Sequence, residues 1–252
     1  MTEQNARATD EPPLAFTDAS YAFGDVTVLQ EASVELQSGE FTALVGPNGS
    51  GKTTLLELFA GLRSLDTGIV TRPTASGRTV AYLPQTPGFR SGFTARETLG
   101  LYTDLVEESA NPDSLLVEVG LDDAATRGVD ELSGGMTRLL GIAQALIGDP
   151  PVVILDEPTS GLDPDVADHI FDVIESVASD GRLVITASHD LAAIEARADR
   201  ALFLSDGEFV LDGDPESILE ATDTETLREA FAAVFRRKTS GVTRPGANGG
   251  ER

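Results

Sequence analysis

The stretch GPNGSGKTT, Gly46 to Thr54, has the residue types and spacing of a phosphate-binding loop, G-x-x-x-x-G-K-[ST]. Gly46, Gly49 and Gly51, interleaved with Pro47, Asn48 and Ser50, let consecutive backbone N–H groups face one concavity that can hold phosphate oxygens. Lys52 would reach the β- and γ-phosphates, the Thr53 hydroxyl suits Mg²⁺, and Thr54 continues into the helix behind the loop. The four fixed positions would arise by chance in such a chain roughly once in 100. The Lys-Thr ending and the missing third-glycine spacing, Thr54 standing where G-x-G-x-x-G counted from Gly49 needs glycine, disfavour a dinucleotide loop. Lysine is otherwise nearly lost from the chain, Lys238 being the only other one, so its retention at position 52 adds weight.

Asp156 and Glu157 follow the apolar run VVIL, so a strand would deliver two adjacent carboxylates to the carboxyl edge of a sheet, where ligands of open α/β sheets bind. One carboxylate can orient a Mg²⁺ ligand or a water, and the next can polarise an attacking water. Asp-Glu-Pro is also an ordinary strand-ending turn and is weak evidence alone. Upstream, ELSGGM at Glu131 to Met136 opens a helical run. Ser133, Gly134 and Gly135 could form a second phosphate nest there, or Ser133 could simply cap the helix.

The elements that must carry these residues alternate along the chain. FTALV (41–45), TVAYL (79–83), VVIL (152–155) and LVIT (183–186) read as buried strands, and helical patterns follow most of them, at 53–62, 164–178 and 190–198. ALFL (201–204) and EFVL (208–211) read as a closing hairpin around Ser-Asp-Gly. From Thr86 to Asp130 the alternation stops and helices are expected at about 95–107 and 113–119, with another at 137–147. This gives one domain over 14–238, with a helical subdomain at about 86–148 inserted into an α/β core. The polar, Pro- and Gly-rich ends, 1–13 and 239–252, are expected to be mobile tails.

Composition bounds the function. No apolar run reaches the roughly 18 to 20 residues a membrane-spanning helix needs, the first residues lack a secretory apolar stretch, and there is no cysteine. The net charge of -24, with scattered acidic residues and no basic stripe, argues against nucleic acid as a partner. Near loss of lysine with retention of arginine reads as adaptation to a salty cytoplasm rather than as an acidic binding surface. Of the two histidines, His169 lies among Asp165, Asp168 and Asp172 and reads as a surface residue.

In order, GPNGSGKT, Gln85 after a strand, LSGGM, ILDEP, SGLD (Ser160 to Asp163) and SHD (Ser188 to Asp190) resemble the ABC (ATP-binding cassette) ATPase family over about residues 14 to 215. The resemblance implies an α/β P-loop NTPase core with a mostly parallel sheet, N-terminal antiparallel strands and the helical subdomain. It implies ATP and Mg²⁺, with the loop amides, Lys52 and Thr53 on the triphosphate and Gln85 reaching Mg²⁺. Asp156 would be the second-shell Mg²⁺ partner, Glu157 the general base and His189 the contact to the γ-phosphate. Ser133 and Gly135 of one copy would cap the γ-phosphate held by another, and Asp163 would link the two sites. The family stacks an aromatic ring on adenine. Tyr21 and Phe23 both qualify by strand alternation, and Phe23 is preferred because it directly precedes Gly24.

The expected function is the ATP-hydrolysing subunit of a transporter, working as a homodimer or with a paralogous cassette, peripheral at the inner face of the cell membrane. Its membrane-spanning permease would be a separate chain, docking near Phe89 and Phe93. Met136, where the family usually has glutamine, and FTARETLGLYTDL at 93–105 resemble exporter ATPases. The alternatives are a soluble ABC ATPase without a permease, and a binding module that has lost hydrolysis. Glu157 and His189 oppose the latter.

Overall fold

The computed structural model describes residues 14–74, 77–106 and 110–239. The tails expected at 1–13 and beyond Thr239 lie outside the described residues. Two sheets form the frame. β1 (Leu14–Phe23), β2 (Val26–Leu36) and β4 (Thr67–Thr71) make an antiparallel sheet of order β2-β1-β4. β3 (Phe41–Val45), β5 (Val80–Leu83), β6 (Val152–Asp156), β7 (Leu183–Ala187), β8 (Arg200–Ser205) and β9 (Glu208–Gly213) make the second, of order β5-β6-β7-β3-β8-β9. Every pair in it is parallel except β8–β9, the expected hairpin.

Every residue of β3, β6 and β7 is buried. Strands covered on both faces must be apolar throughout, which is why they read as continuous runs rather than alternations. On one face α1 (Lys52–Phe59) lies between the two sheets: Leu55, Leu56 and Phe59 join Phe16 and Leu29 of the antiparallel sheet and Ile154 and Ile185 of the parallel one. The Phe16 and Phe59 rings stack at 4.1 Å. On the other face α5 (Pro164–Ser179) and α6 (Leu191–Arg197) share a core with α2 (Ala95–Thr103), α3 (Pro112–Glu118) and α4 (Gly134–Ala145). α7 (Pro215–Thr222) and α8 (Leu227–Thr239) follow the hairpin, where no helix was foreseen.

Local chemistry starts these helices where the structure has them. Thr94 and Glu97 form a reciprocal capping box at α2. Asn111 caps α3, which opens on Pro112, and Asp190 caps α6. The helix expected at 95–107 ends at Thr103, whose hydroxyl turns back to donate to the Gly100 carbonyl at 2.9 Å. Its expected last residue, Glu107, lies outside the described residues. His169 is exposed, as its acidic neighbours suggested.

Candidate functional site

The parallel strands deliver their carboxyl ends to one edge, and the cleft there has a volume of about 640 Å³. Asn48, Gly49, Gly51, Lys52, Thr53 and Thr54 form its floor, with Gln85, Glu157, Ser160 and His189 on one side and Phe23, Val26 and Val28 on another. Gly51 has φ 96°, and a Cβ there would come within 2.5 Å of Val28 Cγ1. The turn into α1 therefore needs glycine twice over, for its backbone conformation and for its close approach to β2. The Lys52 ammonium folds back over the loop, donating to the carbonyls of Gly46 at 2.9 Å and Pro47 at 3.2 Å. Burial pulls its pKa below the usual lysine range, opposed by the Glu157 and Asp156 carboxylates.

β6 ends on Asp156 and passes straight into Glu157, which adopts φ 48° and donates its N–H to the Ala187 carbonyl at 3.0 Å. A non-glycine residue in the left-handed region is strained, and such strain concentrates at functional sites. Burial pushes the Glu157 carboxyl up to about 7; Lys52 opposes the rise and Asp156 adds to it. His189 Nε2 stands 2.8 Å from Glu157 Oε1. Burial and Lys52 both hold the imidazole below its usual pKa, so a neutral ring donating Nε2–H to the carboxylate suits this contact. Asp156 is held above its usual pKa by burial, against the hydroxyls of Thr53 and Tyr82 and the charge of Lys52. Tyr82 Oη donates to Asp156 Oδ2 at 3.4 Å, whereas Oδ1 is buried with no hydrogen-bond partner.

Phe23 and Tyr21 part company. The β1–β2 ladder skips Val28 of β2 between Tyr21 and Ala22, and Arg63 reaches both rings, so the two differ in depth along the strand rather than in face. Tyr21 packs against the core around α1, while Phe23 is 63% exposed and lines the cleft. Val26, Val28 and Ser160 complete the lining without having been singled out as site residues. Only Ser160, inside SGLD, had a sequence signal.

Ser133, Gly134, Gly135 and Asp163 do not line this cleft. Ser133 caps α4, accepting from the Met136 N–H at 3.3 Å, and Asp163 opens α5 without a side-chain cap bond. Both residues are exposed. A Cβ on Gly135 would meet Val166 Cγ1 at 2.3 Å, so α4 and α5 touch at a point where only glycine fits. Phe89 is half-buried against the core, and Phe93 lies under the Arg90 guanidinium at 5.2 Å. Among the described residues no helix is long and apolar enough to cross a membrane.

Comparison with known proteins agrees with this geometry. The ABC transporter family model matches residues 29–160. The Nod factor export ATP-binding protein I of Burkholderia lata is 32% identical over 256 residues, covering 92% of this chain and 84% of that protein. Its namesake in Sinorhizobium fredii is 33% identical over 252 residues, covering 94% and 73%. The solved structure of an ATP-binding subunit of an ABC transporter superposes with a TM-score of 0.75 at 26% identity, covering 87% of this chain and 98% of the other. A dimeric ATP-binding cassette bound to ADP and Pi shares the fold at 23% identity, with a TM-score of 0.69 over 80% of this chain and 98% of the other.

Proposed function

This chain belongs to the ABC transporter ATP-binding family and is an ATP-hydrolysing transporter subunit, and from that premise we propose how its own residues do the work, in an exporter. The export reading rests on relatives named as export ATP-binding proteins and on Met136 ending the LSGGM segment. Gly46 to Thr54 cradle the triphosphate with backbone N–H groups, and Lys52 exchanges its carbonyl partners for phosphate oxygens. Phe23 offers its exposed face to adenine.

The donor set fits Mg²⁺. Asp156 Oδ1 is buried without a partner, the Thr53 hydroxyl lies beside the same carboxylate, and Gln85 lines the cleft. These are hard oxygen donors. Among the described residues no cluster of three or more ionisable ligands could hold a metal, and Mg²⁺ bound chiefly through phosphates needs none. When bound, Mg²⁺ would neutralise phosphate charge.

Glu157 accepts the proton of the attacking water, and the single observation that carries this role is its carboxyl raised to about 7 while bonded to His189. A base works best with a pKa near the operating pH. His189 holds that carboxylate in place and turns towards the γ-phosphate. Ser133, Gly134 and Gly135, which lie off their own cleft, complete the cleft of a second cassette, with Asp163 between the two sites. The membrane-spanning permease is a separate chain, so this subunit sits at the cytoplasmic face of the cell membrane.

Phosphate release from ATP by the purified chain tests the assignment. Lys52→Met should bring it to background in the presence of Mg²⁺, as chelation should for the unaltered chain. Turnover that survived both would mean that this cleft is not the site.

A further inference from the structure

The end of β1 that presents Phe23 is tied to its surroundings by the turn that follows α1. The Ala22 N–H donates to Asp66 Oδ2 at 2.8 Å, and the Asp66 N–H donates to the Ser20 carbonyl at 2.9 Å. Arg63, from the same turn, places its guanidinium 5.6 Å from the centre of the Phe23 ring. Phe23 lines the nucleotide cleft and Arg63 does not; Arg63 lines a separate hollow with Gly68 and Val70 of β4. The guanidinium is itself fixed by an ion pair with Glu57 and by donating Nη1–H to Tyr21 Oη at 3.3 Å. Glu57 stands on α1, the helix whose first residues are Lys52 and Thr53.

We propose that Arg63 is a positioning residue for nucleotide binding: it backs the Phe23 ring and, through Glu57, ties the base platform to the phosphate-binding helix. The proposal rests on Phe23 being that platform. An exposed phenyl ring on a hairpin end would sample many rotamers, and ordering it on binding costs entropy. A cation held over one face by attraction to the π cloud reduces that freedom before the base arrives. Stacking tolerates any base with a π face, so Arg63 contributes affinity rather than selectivity among nucleotides. The sequence gives Arg63 no motif, because its partners come from β1 and α1, apart in the chain.

The test is equilibrium binding of two probes, ADP and inorganic tripolyphosphate, which has no base. The variants are Phe23→Ala, Arg63→Met, Arg63→Lys and the Phe23→Ala/Arg63→Met double, with circular dichroism to verify folding. Phe23→Ala should weaken ADP by about 5- to 100-fold. Arg63→Met should weaken it by about two- to five-fold, the size of an exposed cation–π contact. Arg63→Lys, which keeps the cation, should recover part of that loss. Tripolyphosphate should bind all four alike, and the double variant should be no weaker for ADP than Phe23→Ala alone. If Phe23→Ala leaves ADP affinity intact, the platform reading itself fails. If Phe23→Ala weakens ADP but Arg63→Met does not, or the two losses add, the platform stands and the brace is overturned. Equal loss of tripolyphosphate in Arg63→Met would place Arg63 on the phosphate side and also overturn it.

Discussion

His189 Nε2 lies 2.8 Å from Glu157 Oε1, a contact that joins the loop after β7 to the residue after β6 across adjacent parallel strands. The pair is geometric before it is electrostatic. Glu157 reaches it in a left-handed backbone conformation, and burial raises its carboxyl to about 7.

That burial has a stability consequence in nucleotide-free protein held in chelator. The folded pKa of Glu157, about 7, lies above the ordinary carboxyl value of 4.5. The protein therefore favours the protonated form, and this contribution to stability is full below about 4.5 and is lost as pH rises through about 7. Glu157→Gln removes the ionisation and should raise the melting temperature at pH 8 by about 2 to 6 °C, from about 1 to 2 kcal/mol after allowing for solvent screening. The gain should shrink as pH falls towards 5. A gain of equal size at pH 5 and pH 8 would mean that the carboxylate charge is not its source.

Gly135→Ala should destabilise the fold by about 1 to 3 kcal/mol, because its Cβ would sit 2.3 Å from Val166 Cγ1 and the helices cannot both keep their places. Val166→Ala in the same chain removes the clashing methyl and should restore most of the loss in a urea titration. If the double variant is no more stable than Gly135→Ala, the glycine is required for some reason other than α4–α5 contact.

Two copies of a chain with net charge -24 repel strongly in dilute buffer, where the Debye length is about 30 Å at 0.01 M, and much less at 1 M, where it is about 3 Å. ATP-driven pairing should therefore strengthen as KCl rises from about 0.05 M to 1 M. Sedimentation across that series, with circular dichroism to separate pairing from folding, checks this. Pairing strongest at low salt would instead indicate a dimer held by exposed ion pairs, which salt weakens.

Phe93→Ser should reduce co-purification of the membrane subunit by about tenfold while leaving ATP binding intact, the loss of about 1.4 kcal/mol expected when one of the few anchor residues of an interface is truncated. Phe89→Ser should also lower stability, because Phe89 packs against the core. Unchanged co-purification of the Phe93 variant would locate the permease contact elsewhere.

Much of this site was legible because its chemistry is local in sequence. The loop at 46–54 needs consecutive N–H groups, and Asp156 and Glu157 need only the end of one buried strand. The fully buried strands were also legible, since burial on both faces writes an unbroken apolar run. What stayed hidden depends on three-dimensional packing. Tyr21 and Phe23 share the strand's alternation, and only the packing of Tyr21 against the core around α1 leaves Phe23 as the ring that lines the cleft. β4, Thr67–Thr71, is almost wholly exposed and carries too little apolar pattern to read. α8, by contrast, was legible by spacing and went unread: Leu227, Ala230, Phe231 and Phe235 recur at helical intervals, the first two buried and both rings packed against the core. Ser133 could be read as a cap or as a nest. The structure has it as an exposed cap, with Gly134 exposed beside it and Gly135 buried against Val166.

The most direct test of the central claim compares wild-type chain and Glu157→Gln in Mg²⁺ and high salt, measuring phosphate release together with sedimentation in ATP. A carboxamide keeps the shape and a hydrogen bond but cannot take the water's proton, so turnover should fall by about 10²- to 10⁴-fold. ATP should still bind, and the variant should accumulate as a stable pair of cassettes that wild type forms only transiently. Turnover near wild type would contradict Glu157 as the base, and ATP binding without pairing would contradict a site completed by a second copy.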